Sequence, residues 1–324
     1  MPTIPYRFLR AWPLMTWLLA AGIAIWSAPL SAAECGPLKL LTSVPLKLDP
    51  GNRPLIPITI EDKSRFLLLD TGGFVSTLTP KAVEQFQLKP RRTDIKQYDV
   101  NGNLLDRIVP VPTMMLGKAR GASWLFIVQG HNFSDDETIG TLGPDIIGQF
   151  DVDLDFPNRT LNLFSSDHCA GKIMYWRPRA IAALPITIAQ SGHILVPVIL
   201  DGQRLTALVD TGADQTILNE DVAVRRFGLA TETTRAGSEP ITIHQFRSLT
   251  LEGITITNPR VGILPDRVKK AMPFNPGSLL QPDEKQGLPD ILLGQSLLSR
   301  YHVYVAYRDR TLYITEQDEA AAPH

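Results

Sequence analysis

The feature that most constrains this chain is a stretch that occurs twice. "LLLDTGGFVSTLT" runs from Leu67 to Thr79, and "ALVDTGADQTILN" runs from Ala207 to Asn219. In each, an apolar run ends at an Asp followed by Thr-Gly, and from Asp70 to Asp210 the offset is 140 residues. A later pair also aligns without gaps: "TLGPDIIGQFDVDLDFPNRTLNLF" at 141–164 falls on "LLGQSLLSRYHVYVAYRDRTLYIT" at 292–315. Between these anchors, Met115-Leu116-Gly117 roughly matches the region of Leu251-Glu252-Gly253. A single Asp-Thr-Gly reads as an ordinary turn, its Asp accepting local backbone N–H groups. The same residues in the same surroundings in both halves require a common explanation, and duplicated halves can pack about a pseudo-two-fold axis.

The local patterns are mostly β. "PLIPITI", "RFLLLD", "STLT", "WLFIVQ", "FDVDLDF" and "TLNLF" are short strand candidates, several with period-two alternation. "DFPNRT" and "YRDRT" read as turns between strands. Each half carries one helix soon after its Asp-Thr-Gly. Thr79 can cap "PKAVEQFQL" with Pro80 at its first position, and Asn219 can cap "EDVAVRRFGL", where Gly228 marks the end. The expectation is two small β-barrel-like lobes.

At 324 residues and 44% hydrophobic composition the chain is long enough for two cores, and its net charge of -1 offers nothing to attract nucleic acid. Arg7 and Arg10 precede "AWPLMTWLLAAGIAIWSAPLSAA", a charged start, apolar run and small-residue end that read as a secretory signal over 1–33. An uncleaved membrane anchor is the competing reading; Pro13 and the small residues before Glu34 favour cleavage. The expectation is an exported protein, periplasmic or extracellular, with no membrane association after signal cleavage. Cys35 and Cys169 are its only cysteines, and in an exported chain pairing is favoured over two unrelated buried thiols. The segment 34–53 is either an inhibitory pro-segment or a structural strand. The remaining divisions are a first lobe over 34–164, a linker over 165–184, a second lobe over 185–318 and a tail over 319–324.

If the halves meet about a pseudo-two-fold axis, Asp70 and Asp210 face each other. Two carboxyls at close range cannot both ionise, so they share a proton. The ionised member can then take a proton from a water held between them while the protonated member polarises a substrate carbonyl, which is amide hydrolysis by general acid–base catalysis. Thr71, Gly72, Thr211 and Gly212 would hold the two carboxyls coplanar.

These residues resemble the aspartic proteases of the retropepsin and pepsin superfamily. The matching motifs are "LLLDTGG" and "ALVDTGAD" with the later "TLG" and "LLG", and Asp210-Thr211-Gly212-Ala213-Asp214 with Thr216 looks like the retroviral-type signature. The resemblance covers about 50–165 and 185–315. It implies a mostly β fold of two retropepsin-like (acid protease) β-barrel lobes in a pseudo-two-fold arrangement, one short helix per lobe. It also implies an aspartic endopeptidase with Asp70 and Asp210 catalytic, no cofactor and no metal, a peptide or protein substrate, and a monomer whose lobes pair within one chain. The hydrophobic-Gly elements resemble the family's ψ-shaped loop beneath the active site. Flap hairpins are implied at 97–107 and 234–246, with Asn101, Gly102 and Gly237 at or near their tips, and Asp214 is implied to bind substrate backbone. The chain departs from pepsins at Gly73 and Ala213, where a hydroxyl usually donates to the catalytic carboxylate; without it the pair should stay half-protonated to higher pH. Phe74 stands where the second half has Asp214, which makes the cleft asymmetric.

No other chemistry has its residues in place. The six His residues, His131, His168, His193, His244, His302 and His324, show no metal-ligand spacing and read as surface or loop residues. There is no GxSxG, P-loop or HExxH motif. The aromatic-basic "MYWRPR" at 174–179 reads as a wedge between lobes or a cover over the linker. A catalytically weak or inactive peptide-binding protein of the cell envelope is the functional alternative.

Overall fold

A computed structural model describes residues 35–98, 104–177, 180–229, 241–264 and 289–316. The expected signal, the turns at Asn101-Gly102 and Gly237, and the tail at 319–324 lie outside these residues.

The two halves fold along the same path. In the first, neighbouring strands follow the order Lys47–Leu48, Pro54–Ile60, Lys63–Leu69, Thr138–Leu142, Thr77–Leu78, Ala119–Val128, Leu104–Leu116 and Arg91–Tyr98. Pairing of Thr59 with Met115 curls this sheet back on itself. In the second, the order is Thr187–Ile188, Ile194–Leu200, Gln203–Val209, Ile291–Leu293, Ile217–Asn219, Arg260–Leu264 and Thr242–Gln245. The long hairpin of the first lobe is broken in the second at Phe246-Arg247 and Asn258-Pro259. Pro259 has no N–H for a ladder and Asn258 takes a left-handed φ of 52°, so the hairpin folds over. Its outer part, Ser248–Leu251, then pairs with Ile194–Leu200.

Lys63–Leu69 buries Leu67, Leu68 and Leu69 on both faces, which explains three consecutive leucines where a half-exposed strand would alternate. Burying each contributes about 2 kcal/mol. In both lobes the strand ending at the Asp runs parallel to the strand of the later hydrophobic-Gly element, and a short strand following the Asp-Thr-Gly loop pairs antiparallel to that element from its other side. The expected ψ-shaped crossing is therefore present twice.

The expected helices are Pro80–Gln85 and Glu220–Phe227. Thr79 caps the first through its side chain, and Gly228 ends the second in a left-handed conformation at φ 66°. Asn219 makes no side-chain cap; its amide donates to the Pro289 carbonyl instead. Each lobe also has a single-turn helix, Pro144–Ile147 and Gln295–Leu298, directly after its hydrophobic-Gly element. Four residues are too few to produce a readable helical period.

A third sheet joins the lobes. Its order is Leu40–Pro45, Thr160–Phe164, Asp151–Asp155, His302–Ala306, Thr311–Glu316 and Ala180–Pro185, and the central pairing of Asp151–Asp155 with His302–Ala306 crosses from one half to the other. The later part of the gapless match, 151–164 on 302–315, is thus the two halves of one sheet. Within 34–53, residues 40–45 are an edge strand, so this part of the segment is structural. Ala180–Pro185 begins inside 165–184 and pairs along Thr311–Glu316. Cys35 and Cys169 form a disulfide with a Cα–Cα distance of 4.7 Å, tying the start of the edge strand to the segment that leaves the first lobe.

The assignment of every His to surface or loop is corrected for His168 and His302, both buried, the second on a strand of this sheet. His168 bonds Asp151 at 2.6 Å and His302 bonds Asp153. Buried carboxyls on a central strand need such partners. Burial alone would lower the His168 pKa, but the Asp151 hydrogen bond and charge raise it. Trp176 of "MYWRPR" stacks on His302 at 4.1 Å and donates to Thr315 Oγ1 at 3.0 Å, so the aromatic segment covers the interlobe sheet.

Candidate active site

The two Asp-Thr-Gly loops meet between the lobes. Each begins where its strand ends: Asp70 N–H donates to the Leu142 carbonyl and Asp210 N–H to the Leu293 carbonyl, both at 3.0 Å. The chain then turns so that its next N–H groups point back at the carboxyl. Gly72 and Gly73 donate to Asp70 Oδ1 at 3.2 and 2.8 Å, and Gly212 and Ala213 to Asp210 Oδ1 at 2.8 and 3.2 Å. The two carboxyls interact directly across the pseudo-two-fold. This close approach requires glycine: a Cβ on Gly72 would lie 2.2 Å from Asp210 Cγ, and one on Gly212 would lie 2.4 Å from Asp70 Oδ1.

Thr71 and Thr211 lock the loops together across the pseudo-two-fold. Thr71 Oγ1 donates to the Val209 carbonyl at 2.7 Å and accepts Thr211 N–H at 3.1 Å. Thr211 Oγ1 donates to the Leu69 carbonyl at 2.7 Å and accepts Thr71 N–H at 3.1 Å. All four bonds are buried and each joins one lobe to the other. Thr71, Gly72, Thr211 and Gly212 thus surround Asp70 and Asp210.

Burial pushes both carboxyl pKa values up. Asp210 is 8% exposed and rises from 3.8 to about 7, through burial first and the charge of Asp70 second. Asp70 also rises by burial, opposed by the Gly73 and Gly72 N–H groups and by the charge of Arg53. With only backbone donors at Gly73 and Ala213, the pair keeps its shared proton to near neutrality.

Several supporting residues escaped the sequence reading. Asp145 accepts Ser76 N–H at 2.8 Å and the Ser76 hydroxyl at 2.7 Å, while Ser296 Oγ accepts Thr216 N–H at 2.9 Å. These matched struts fix each Asp-Thr-Gly loop to the single-turn helix beneath it. Gln295, fully buried, donates to the Thr211 carbonyl at 3.0 Å and so supports the second loop only. The offset of 140 residues also relates Arg53 to His193, a signal present in the sequence but carried by dissimilar side chains. Their loops share backbone geometry: Asp49 N–H donates to the Arg53 carbonyl at 3.1 Å, and Ala189 N–H to the His193 carbonyl at 3.0 Å. Arg53 pairs with Asp49 at 2.6 Å, whereas His193 Nε2–H donates to the Gly73 carbonyl at 3.2 Å. Asp214 is exposed beside Gly51, and Asn101, Gly102 and Gly237 lie outside the described residues.

Two like lobes, a ψ-shaped crossing in each and paired Asp-Thr-Gly loops define the fold of the pepsin and retropepsin superfamily of aspartic proteases. Residues 196–297 match the family model Asp_protease_2, aspartyl protease. No curated protein matches the chain. Among solved structures, an aspartic proteinase from Irpex lacteus is similar at 15% identity and a TM-score of 0.50, covering 87% of this chain and 98% of that one. Basic 7S globulin from soybean is similar at 12% identity and a TM-score of 0.50, covering 89% of this chain and 98% of that one. These likenesses establish the fold; the chemistry rests on the site.

Proposed function

We propose that this protein is an exported aspartic endopeptidase that acts as a monomer, with Asp70 and Asp210 as its catalytic pair. The observation that carries the reading is the two buried carboxyls facing each other between the lobes, each held by the N–H groups of its own loop and each raised in pKa by burial. Ionised Asp70 takes a proton from the attacking water as its oxygen adds to the scissile carbonyl carbon. Asp210 gives its proton to the carbonyl oxygen, so the tetrahedral intermediate is neutral. The proton on Asp70 passes to the amide nitrogen as the C–N bond breaks, and the intermediate's hydroxyl returns a proton to Asp210. The products are a carboxylic acid and an amine, and the pair is restored. Export to an oxidising compartment is supported by the disulfide.

The test is peptide cleavage by the wild-type protein and by Asp70→Asn and Asp210→Asn, with pepstatin as a probe. Both variants should lose turnover; full activity in either overturns the pair. Cleavage should persist to near neutral pH and fall above about pH 7, where the shared proton is lost. An optimum at about pH 2 overturns the expectation that the pair stays half-protonated to higher pH. Basic 7S globulin is not named as a protease, so the fold alone does not establish turnover. Peptide binding by the wild type without cleavage would favour the peptide-binding alternative, and solution mass separates a monomer from a dimer.

A further inference from the structure

The pseudo-two-fold that matches the catalytic loops fails at the residues flanking them. The fourth residue after each Asp is Phe74 in the first lobe and Asp214 in the second. Each is met by the loop of the opposite lobe. Gly51 approaches so closely that a Cβ there would stand 3.0 Å from Asp214 Cβ, in a loop that carries Asp49 and Arg53. On the other flank the His193 ring lies 4.9 Å from the Phe74 ring and is bonded to the Gly73 carbonyl. Backbone geometry is therefore shared while the chemistry is opposed.

One flank holds two carboxyl groups, Asp49 and Asp214, and one guanidinium, Arg53. Arg53 is committed to Asp49 through Nε and a second nitrogen at 2.7 and 2.6 Å, which leaves the exposed Asp214 as the flank's net negative charge. The other flank is neutral and aromatic: Phe74 is 40% exposed, and burial lowers the His193 pKa so that the ring is uncharged at neutral pH. Both flanks adjoin the catalytic pair, since the Arg53 charge acts on Asp70 and His193 holds the carbonyl of Gly73, whose N–H binds Asp70. A peptide lying across the pair must pass both.

We infer that the cleft is directional. It takes an apolar or aromatic side chain at the Phe74–His193 flank and a Lys or Arg side chain at the Asp214 flank, on opposite sides of the scissile bond. A peptide bound in reverse would forgo the attraction of its cation to Asp214 and set an apolar group against that carboxylate, costing its solvation. This rests on the peptidase reading and assigns its substrate class.

The test uses the full-length mature protein and a peptide set in which Lys, Gln and Phe are moved through the positions on each side of one scissile bond. The wild type should favour Lys over Gln by about fivefold in kcat/KM on one side only, and Phe on the other. Asp214→Asn should abolish the Lys preference and keep the Phe preference. Phe74→Asp, which makes the flanks alike, should add a Lys preference on the second side. Equal rates for Lys and Gln on both sides, or a Lys preference that survives Asp214→Asn, overturn the inference while leaving the peptidase reading intact. If the wild type cleaves none of the peptides, the peptidase reading fails. Affinities of the same peptides for Asp210→Asn then decide the asymmetry: a one-sided Lys preference supports it and none refutes it.

Discussion

Replacing Asp210 by Asn should make the protein more stable in mild alkali and leave it nearly unchanged in acid. In the folded protein Asp210 keeps its proton up to about pH 7, whereas in the unfolded chain it ionises near 3.8. Between those values the folded state binds more protons, so the free energy of unfolding falls as pH rises through that window. The full difference is on the order of 4 kcal/mol above pH 7, because burial beside Asp70 opposes the second charge. The substituted side chain keeps the shape and a hydrogen-bonding amide without that charge. For a chain of this size about 4 kcal/mol corresponds to about 8 °C in melting temperature. Calorimetric scans of both proteins at about pH 4 and about pH 8 read the effect, and comparing the two cancels the contributions of His168 and the other buried groups they share. The variant should melt several degrees above the wild type at the higher pH and within a degree or two at the lower. An equal difference at both pH values would refute the shared-proton pair as the seat of the effect.

The remaining expectations follow from packing and connectivity. Gly72→Ala places a Cβ 2.2 Å from Asp210 Cγ. It should cost about 3 kcal/mol or more in stability and abolish peptide cleavage, read by thermal melting and by assay. Thr71→Val leaves the Val209 carbonyl and Thr211 N–H buried without partners. It should destabilise by about 4 kcal/mol in denaturant unfolding, while Thr71→Ser keeps both bonds and most of the stability. Replacing Cys35 and Cys169 by Ser releases a closure spanning 134 residues. The expected loss is about 4 to 5 kcal/mol, and reductant should then have no further effect on the variant.

The paired Asp-Thr-Gly loops could be read from the chain because their information is local and repeated. Asp70-Thr71-Gly72 and Asp210-Thr211-Gly212 each end an apolar strand, and each precedes a helix whose start or end is marked by Thr79 and Pro80 or by Gly228. The gapless match of 141–164 on 292–315 likewise foretold that both halves repeat a strand, turn and strand. Such features lie within a few residues of one another, where propensity, capping and turn chemistry act.

Other features depended on partners far along the chain. His168 and His302 looked like loop residues because nothing nearby shows that Asp151 and Asp153 become the buried centre of a sheet shared by both lobes. Gln295 supports the second loop by contacting a carbonyl 84 residues away, and its counterpart in the first lobe is Pro144, which cannot donate. Arg53 and His193 stand at matched positions but differ in charge and size, so a search for similar residues passes over them. The sequence established which residues are duplicated. Only the packing of one lobe against the other brought Asp70 to Asp210, let each threonine bond the opposite strand, and set Phe74 with His193 on one flank and Asp214 on the other. A duplicated motif specifies like backbones, while the charge and shape of a cleft arise from side chains that the two halves do not share.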